Sequence, residues 1–534
     1  MRYAPCTRRG VSLQPAPDID PAALARSVVA KIGRPVDAWA VVATLEGEGW
    51  RDVDAGPAAG CEDLFELGDV VYAHTHGVEP PVAESVVNRP SRARIAGRFT
   101  LSYGKGLLYA LPVMGQVTAL VWLGYSLWAS SSLTEGPATM IALSTVGSFL
   151  VTGGLIQAMA RETMRLLGAE LEDQARRVGL RFAAFGVALV LAVGLGVAIL
   201  NVLVPFYPAD LALIGLVYFV LLGILWVTVA LLYVQERLFA VGVATFSGIL
   251  PVVLAIEVLG WSIYVAQALG LVVAIGVAAA WAWCTLGRGG EPVEGPQPPL
   301  PRLSTVVHTT LPFAAYGTLY FSFLFADRVV AWTAAGDEPL PYVVWFRTPY
   351  ELGMDWALVV LFACLALFPF AVGRLVRGLH AAQDAPIGQA SEAFLAEYGM
   401  HARLTVGVGL GALALAYGGG VWLRESGPAL LAPMFDGAVP TYVFIVAGLA
   451  YVMLSVGLFN GLVFLAQGRM RHVLVPLALG LGTDLVVGIV LTRLTSYEHA
   501  VWGLAAGAAV YAFLTTRSVL TLARQADYHA YAAY

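Results

Sequence analysis

One acidic residue stands inside a long apolar segment near the end of the chain. Asp484 lies in HVLVPLALGLGTDLVVGIVLTRL, with apolar or small residues on both sides and no basic neighbour. An ionised carboxylate is costly inside a bilayer, so a residue of this kind is a functional candidate. Two interpretations are open: a proton or sodium site used for ion coupling, or a carboxyl group hydrogen-bonded to a neighbouring helix.

A second group of charges follows another apolar segment. Asp327 and Arg328 come after more than twenty largely apolar residues, and Glu351 and Asp355 follow on the next helix with i, i+4 spacing, which places them on one face. One interpretation is a salt bridge that joins the two helices as a hairpin. The other is an outer gate that pairs when closed, which Glu257 could face from the other half.

Uncharged polar residues also occur within apolar segments. In a membrane bundle such side chains either line a hydrated cavity or form hydrogen bonds between helices, and the sequence leaves both readings open. The candidates for cavity lining are Gln116, Gln157, Asn201, Gln267 and Asn460.

The sequence lacks the patterns of covalent catalysis and of metal binding. It has no Walker loop, no GxSxG and no HExxH. The four cysteines are scattered, and His74 and His76 have no third ligand at a fixed spacing. With a net charge of −5 and no basic tract, nucleic acid is a poor partner. We therefore predict neither an enzyme nor a cofactor or metal site.

Composition indicates the elements that must position these residues. Of the 534 residues, 58% are hydrophobic and 13% are charged, whereas soluble domains carry about 25% charged residues. Twelve segments are long enough to cross about 30 Å of hydrocarbon. They lie near 106–129, 138–160, 180–204, 210–234, 238–258, 261–285, 305–330, 353–373, 403–423, 440–466, 472–492 and 499–523.

The predicted fold is thus an all-α polytopic membrane protein with two six-helix lobes, at residues 100–286 and 305–525. A proline-rich linker, 287–304, separates the lobes. Residues 1–95 hold 13 of the 36 acidic residues and amphipathic segments near 21–32, 36–48 and 61–73, which predicts a small soluble helical domain. Amphipathic stretches at 166–177 and 380–398 predict helices on the membrane surface.

Arginine placement predicts the orientation, because cytoplasmic loops hold the excess of basic residues. The loops after even-numbered segments contain most of the interhelical arginines: Arg161, Arg165, Arg176, Arg177, Arg237, Arg288, Arg302, Arg374, Arg377, Arg469 and Arg471. We therefore expect both termini in the cytoplasm of a multi-pass protein of the cell (inner) membrane.

This layout resembles the multidrug/oligosaccharidyl-lipid/polysaccharide exporter superfamily. Within it, LYFSFLFADRVVAW followed by TPYELGMDWALVVLFACLALFPF is similar to the Pel-type exopolysaccharide transporter family, in which the seventh helix also ends in Asp-basic-x-x-x-Trp. The chain departs from that family in lacking its usual glycine-rich N-terminal opening and in adding the N-terminal domain. The resemblance implies a transporter that works by alternating access between two lobes.

The expected function is export or flipping of a polysaccharide or lipid-linked glycan. The alternative is an ion-coupled multidrug-type exporter of small amphiphiles, favoured by an apolar cavity with one carboxylate. An integral membrane enzyme that modifies glycans fits less well, because the predicted outer loops are short. Besides the lipid bilayer and the substrate, the expected partner is a cytoplasmic glycosyltransferase or synthase, contacted through residues 1–95.

Overall fold

The protein is helical throughout the part of the chain that the computed structural model describes: residues 20–33, 35–53, 55, 61–78, 92–286, 300–335, 339–374, 389–426 and 435–524. These residues form sixteen α-helices and no β-strand. A lone bridge pairs Tyr125 with Ser130. The all-α class predicted from the sequence is confirmed.

Three short helices precede the membrane region: α1 (Pro21–Ile32), α2 (Ala38–Gly47) and α3 (Leu64–Thr75). Each follows an aspartate, Asp20, Asp37 or Asp63, whose carboxylate accepts a backbone N–H of the first turn. They coincide with the three predicted amphipathic segments and enclose a small core that includes Val28 and Leu67. They belong to a compact unit distinct from the one that contains Phe99–Arg374 and Tyr398–Thr521.

The remaining helices follow in the order expected for a membrane bundle. They are α4 (Arg92–Leu108), α5 (Leu111–Leu123), α6 (Glu135–Gly168), α7 (Glu172–Leu203), α8 (Ala209–Val234), α9 (Leu238–Glu257), α10 (Ile263–Thr285), α11 (Leu303–Trp332), α12 (Thr348–Leu365), α13 (Gln389–Ser426), α14 (Ala438–Ala466), α15 (Arg471–Leu494) and α16 (Val501–Arg524). In the described part of the chain, ten helices are long and apolar enough to cross a membrane. The chain is thus a multi-pass helical membrane protein.

The prediction of a continuous first span at 106–129 is wrong. Helix α4 instead ends at Leu108, and a new helix, α5, starts with Pro112 in its first turn. This helix ends before Gly124, which has φ 79°. Proline lacks an N–H and suits the first turn, whereas a left-handed glycine ends a helix. In the second lobe, Pro312 also lies early in the first predicted span, but inside the continuous α11. The two lobes therefore differ at their first span.

The predicted surface helix at 166–177 is also absent. Helix α6 continues to Gly168 and α7 begins at Glu172, so only three residues separate them. With 34 and 32 residues, both helices are about 50 Å long and extend beyond the hydrocarbon. Of the second predicted surface helix, residues 380–388 lie outside the described residues, and the rest begins α13.

Buried side chains form two separate clusters that define the two lobes. The first cluster runs from Ala119 to Leu286 and holds α5–α10 together. The second includes residues from Phe323 to Tyr511 in α11–α16, with Val146 of α6 added to it. The two-lobe arrangement predicted from the sequence is confirmed.

The lobes contact each other along α6 and α11, which run antiparallel. A Cβ on Gly317 would lie 2.4 Å from the carbonyl oxygen of Gly153, and a Cβ on Gly154 would lie 2.6 Å from that of Ala314. These glycines therefore allow the two backbones to touch. On one side of the crossing, Phe149 stacks on Phe321 with ring centroids 4.9 Å apart.

Topology can be tested at two described loops. We expect a cysteine at Ser131 to react with a membrane-impermeant maleimide on intact cells, in a variant whose own cysteines are serine. A cysteine at Glu170 should react only after permeabilisation, because it follows the arginine-rich end of α6. The opposite labelling pattern would overturn the predicted orientation.

Candidate functional site

A buried ion-pair network joins α11 to α12. The guanidinium of Arg328 donates from Nη1 to Glu351 and, at 2.9 Å, to Asp355 Oδ1. The side chains of Arg328 and Glu351 are only 8% and 6% exposed. Removing one partner from such a pair leaves a buried charge without compensation, so the arrangement strongly favours this hairpin geometry once formed.

Two further side chains complete the network. Trp332, one turn after Arg328, donates its indole N–H to Glu351 Oε1 at 2.8 Å. Tyr350 donates its hydroxyl to Asp327 Oδ2 at 2.6 Å. Because α11 and α12 belong to the same lobe, these bonds connect two helices of one lobe rather than one lobe to the other.

Glu257 does not join this network, contrary to the expectation that it faces the other charges. Its carboxylate is exposed at the end of α9 and accepts a 2.8 Å hydrogen bond from the Tyr125 hydroxyl. The cause is the early end of α5 at Gly124, which places Tyr125 in a loop beside α9. Glu257 thus contacts its own lobe.

Asp484 lies at the same level as Asp327, where α15 packs on α11. A Cβ on Gly480 would be 3.6 Å from Phe323, and one on Gly488 would be 3.5 Å from Val330. Asp484 is one turn from each of these glycines, while Asp327 lies between Phe323 and Val330 along α11. The register therefore brings the two carboxyl groups to the same part of the contact.

These two carboxyl groups are enclosed and incompletely paired. Both residues are fully buried. Among the described residues, neither oxygen of Asp484 has a hydrogen-bond partner, and Asp327 Oδ1 has none. From α16, a Cβ on Gly503 would lie 2.6 Å from Asp484 Oδ1, so the glycine leaves room for the carboxyl group.

Two predicted cavity-lining amides instead hold the loop that follows α5. Gln116 accepts the backbone N–H of Leu127 at 2.8 Å. Gln267 donates to the carbonyl of Ser126 at 2.9 Å and accepts the hydroxyl of Tyr218. Both amides are buried, and both use their polar atoms to connect helices with this loop.

Two other predicted amides form hydrogen bonds within their own lobe, whereas the fifth lies between the lobes. Asn201 exchanges two hydrogen bonds of 3.1 Å with the backbone of Tyr207. Asn460 accepts from Tyr398 at 2.9 Å and donates to the hydroxyls of Thr515 and Thr516 at 3.1 and 2.9 Å. By contrast, Gln157 is half-buried against Gly317. Its role as a cavity-lining residue stays a prediction.

Sequence reasoning missed the contact that joins the lobes at the end predicted to be outer. Three hydrogen bonds link residues 344–346 with the first lobe. Tyr207 donates to the carbonyl of Val344 at 2.8 Å, Trp345 donates to Glu135 Oε2 at 2.7 Å, and the N–H of Phe346 donates to Thr139 Oγ1 at 3.0 Å. We call residues 344–346, together with their three hydrogen bonds to the first lobe, the interlobe latch. The only signals in the sequence were the acidic Glu135 and the indole of Trp345 at predicted loop ends. These two residues are 210 positions apart, so no local pattern pairs them.

The latch is attached to the ion-pair network. The backbone N–H of Trp345 donates to the carbonyl of Trp332 at 2.9 Å. Trp332 in turn binds Glu351 through its indole. The segment that reaches the first lobe therefore starts from the most constrained part of the second.

The fold is shared with solved structures of transporters. The Vibrio cholerae MATE transporter VcmN in the bent form is 15% identical, with a TM-score of 0.53 over 81% of this chain and 98% of its own. A MOP superfamily transporter from Pyrococcus furiosus is 15% identical, with a TM-score of 0.54 over 81% and 96%. An outward-facing MATE family transporter of the MOP superfamily is 15% identical, with a TM-score of 0.52 over 81% of this chain and 96% of its own.

These likenesses concern the fold. No family model matches the sequence, and no curated protein matches it. The helix layout predicted from the sequence is thus shared with solved transporters of the MOP superfamily, whereas the Pel-type resemblance has no match and stays a prediction.

The energetic role of the network can be measured by replacing Arg328. We expect Arg328→Met to lower the free energy of unfolding in mixed micelles by about 3–5 kcal/mol, because Glu351 would stay buried without its partner. Adding Glu351→Gln should restore part of the loss. The control Arg424→Met removes an exposed ion pair with Glu425. It should lower the free energy of unfolding by less than about 1 kcal/mol. Equal effects of Arg328→Met and Arg424→Met would contradict this assignment.

The latch can be tested by removing one hydrogen bond. We expect Trp345→Phe to increase the population with separated lobe ends roughly fivefold, since one hydrogen bond contributes about 1 kcal/mol. Double electron–electron resonance between spin labels at Ser131 and Val343 would measure this population. Trp502→Phe is the matched control, because it removes an indole bond to Tyr442 within the second lobe. A distance distribution in Trp345→Phe identical to that of the control would exclude the latch.

Proposed function

We propose that this protein is a membrane transporter that works by alternating access between its two lobes, as an ion-coupled exporter of small amphiphiles. The fold shared with MATE transporters supports the general class. The observation that carries the coupling is the fully buried pair Asp327 and Asp484, whose oxygens Oδ1 of Asp327 and both of Asp484 lack partners among the described residues.

Alternating access requires contacts between lobes that form and break, together with a contact that persists. The glycine crossing of α6 and α11 suits the persistent contact, because the two backbones touch at Gly153 and Gly317 with no Cβ between them. The interlobe latch suits the contact that breaks, since it consists of three hydrogen bonds at one end of the lobes.

Ion coupling follows from the cost of a buried charge. An ionised aspartate at the centre of a membrane helix costs about 2.5–3.5 kcal/mol on insertion scales, so binding of a proton or sodium ion is favourable there. Asp484 is the candidate for ion coupling. Asp327 differs because Tyr350 already donates to one of its oxygens.

The charge of the interior favours a neutral or cationic substrate. Among the buried residues of the described chain, Arg328 is the one arginine or lysine, and it is committed to Glu351 and Asp355. An anionic substrate would need further buried cations to balance its charge. Aromatic rings at the lobe contact, including Phe149 stacked on Trp226 at 4.4 Å, suit an amphiphile with an apolar surface.

Export or flipping of a polysaccharide or lipid-linked glycan is the second candidate. It is favoured by the segment from Leu319 to Trp332 and the TPYELGMDW that follows, whose pattern resembles the Pel-type family. In that case residues 1–95 would contact a glycosyltransferase or synthase. For both candidates we propose the cell membrane, with both termini in the cytoplasm, from the arginine distribution.

Transport in proteoliposomes tests the coupling. We expect wild-type protein to drive accumulation of the cation tetraphenylphosphonium with a proton or sodium gradient. Asp484→Asn should abolish this gradient dependence while retaining exchange down the substrate gradient, because the amide keeps the shape and cannot ionise. Asp210→Asn is the control, since that carboxylate is exposed in the first turn of α8.

The results separate the candidates. Unchanged gradient dependence in Asp484→Asn, at wild-type expression, would exclude the coupling role of this residue. If tetraphenylphosphonium does not move while a fluorescent lipid-linked oligosaccharide does, the multidrug reading fails and the glycan reading replaces it.

A further inference from the structure

A strip of apolar and aromatic side chains lies on the surface of the N-terminal helices. We call it the aromatic strip and define it as Val36, Trp39, Phe65 and Tyr72. Trp39 and Phe65 meet edge to face with ring centroids 5.1 Å apart. Tyr72 donates its hydroxyl to the carbonyl of Val36 at 3.2 Å, which connects the end of α3 with the segment before α2.

Three residues of the strip, Val36, Trp39 and Phe65, are not part of the core of these helices, whereas Tyr72 packs against its edge. That core is formed by other side chains, such as Val42 and Leu67, and α2 crosses α3 closely because a Cβ on Gly68 would lie 2.4 Å from Val42. Trp39 and Phe65 are instead 69% and 44% exposed. Exposed apolar side chains that contact each other, as Trp39 and Phe65 do, are typical of an interaction site.

The surface around the strip is acidic. On α3, Phe65, Asp69 and Tyr72 share one face by their i, i+4 and i+7 spacing. Asp37 and Asp63 cap the two helices beside Trp39 and Phe65. The cations of α1 are already paired, Arg26 with Asp20 and Lys31 with Glu48. The strip therefore has aromatic faces beside the exposed carboxylates of Asp37 and Asp69.

We propose that the aromatic strip docks a basic segment of a protein partner, in which arginines or lysines alternate with apolar side chains. Apolar residues would cover Val36, Trp39 and Phe65, and a cation would stack on an exposed ring while pairing with Asp69. A membrane surface fits poorly, because anionic lipids attract basic segments and would repel this one. The proposal is independent of the transported substrate.

A peptide probe tests this chemistry on the full-length protein in phosphatidylcholine nanodiscs. The probe is a fluorescein-labelled peptide of sequence GLRRLSRWLRSG, and its binding is followed by fluorescence anisotropy. Trp39→Ala/Phe65→Ala should weaken binding tenfold or more, since exposed aromatic anchors dominate such contacts. Asp69→Asn should weaken it about threefold. Glu46→Gln, an exposed carboxylate at the other end of α2, should change it less than twofold.

Three outcomes would overturn the proposal. The first is binding that the double variant leaves unchanged. The second is equal affinity for a probe of the same charge whose apolar residues are replaced by serine, which would show attraction by charge alone. The third is binding of cellohexaose in place of the peptide, which would make the strip a glycan surface.

A photocrosslinker adds a test in cells. With p-benzoylphenylalanine in place of Trp39, we expect a crosslink to a protein segment of net positive charge, and none from the same group at Glu46. Absence of a crosslink at Trp39, or one to an acidic or uncharged segment, would contradict the proposed partner.

Discussion

A guanidinium can be buried among membrane helices only when carboxylates compensate its charge, and this constraint organises the second lobe. Arg328 meets it with Glu351 and Asp355 on the neighbouring helix. Because Trp332 and Tyr350 also bind the acidic residues of the network, the facing ends of α11 and α12 are fixed relative to each other. The connection between these helices therefore starts and ends on a rigid frame.

This frame explains how two neighbouring features arise. The latch segment begins beside Trp332, so its three bonds to the first lobe extend from a fixed base. On another face of α11, Asp327 shares the level of Asp484, with part of its hydrogen-bonding capacity used by Tyr350. A change in the charge state of this carboxyl pair would act on α11, whose last residue, Trp332, binds the latch, and this is the physical basis for coupling in the proposed transport cycle.

The sequence predicted the helix bounds correctly where they depend only on the length and apolar character of one segment. The bounds of α8, for example, are Ala209–Val234 against a predicted 210–234, because a membrane helix must be apolar over a fixed length. Prediction failed where local signals compete. Pro112 and Gly124 cut the first span, and the charged segment at 166–177 forms the end of α6 and the start of α7 instead of a surface helix. Glu257 was misassigned because its partner depends on that shortened span.

By itself, the sequence determined the membrane class, the position and order of most helices and the few ionisable groups that need compensation, because hydropathy and the cost of buried charge act locally along the chain. It overestimated the number of spans, with twelve predicted against ten among the described residues. Only the tertiary structure decided which of these groups meet. Arg328 and Glu351 are 23 residues apart and could be matched by helix geometry. Trp345 and Glu135 are 210 residues apart in different lobes, and their contact depends on how α6 packs against α11. That packing arises from many weak interactions and small residues such as Gly153 and Gly317, whose partners no local pattern specifies.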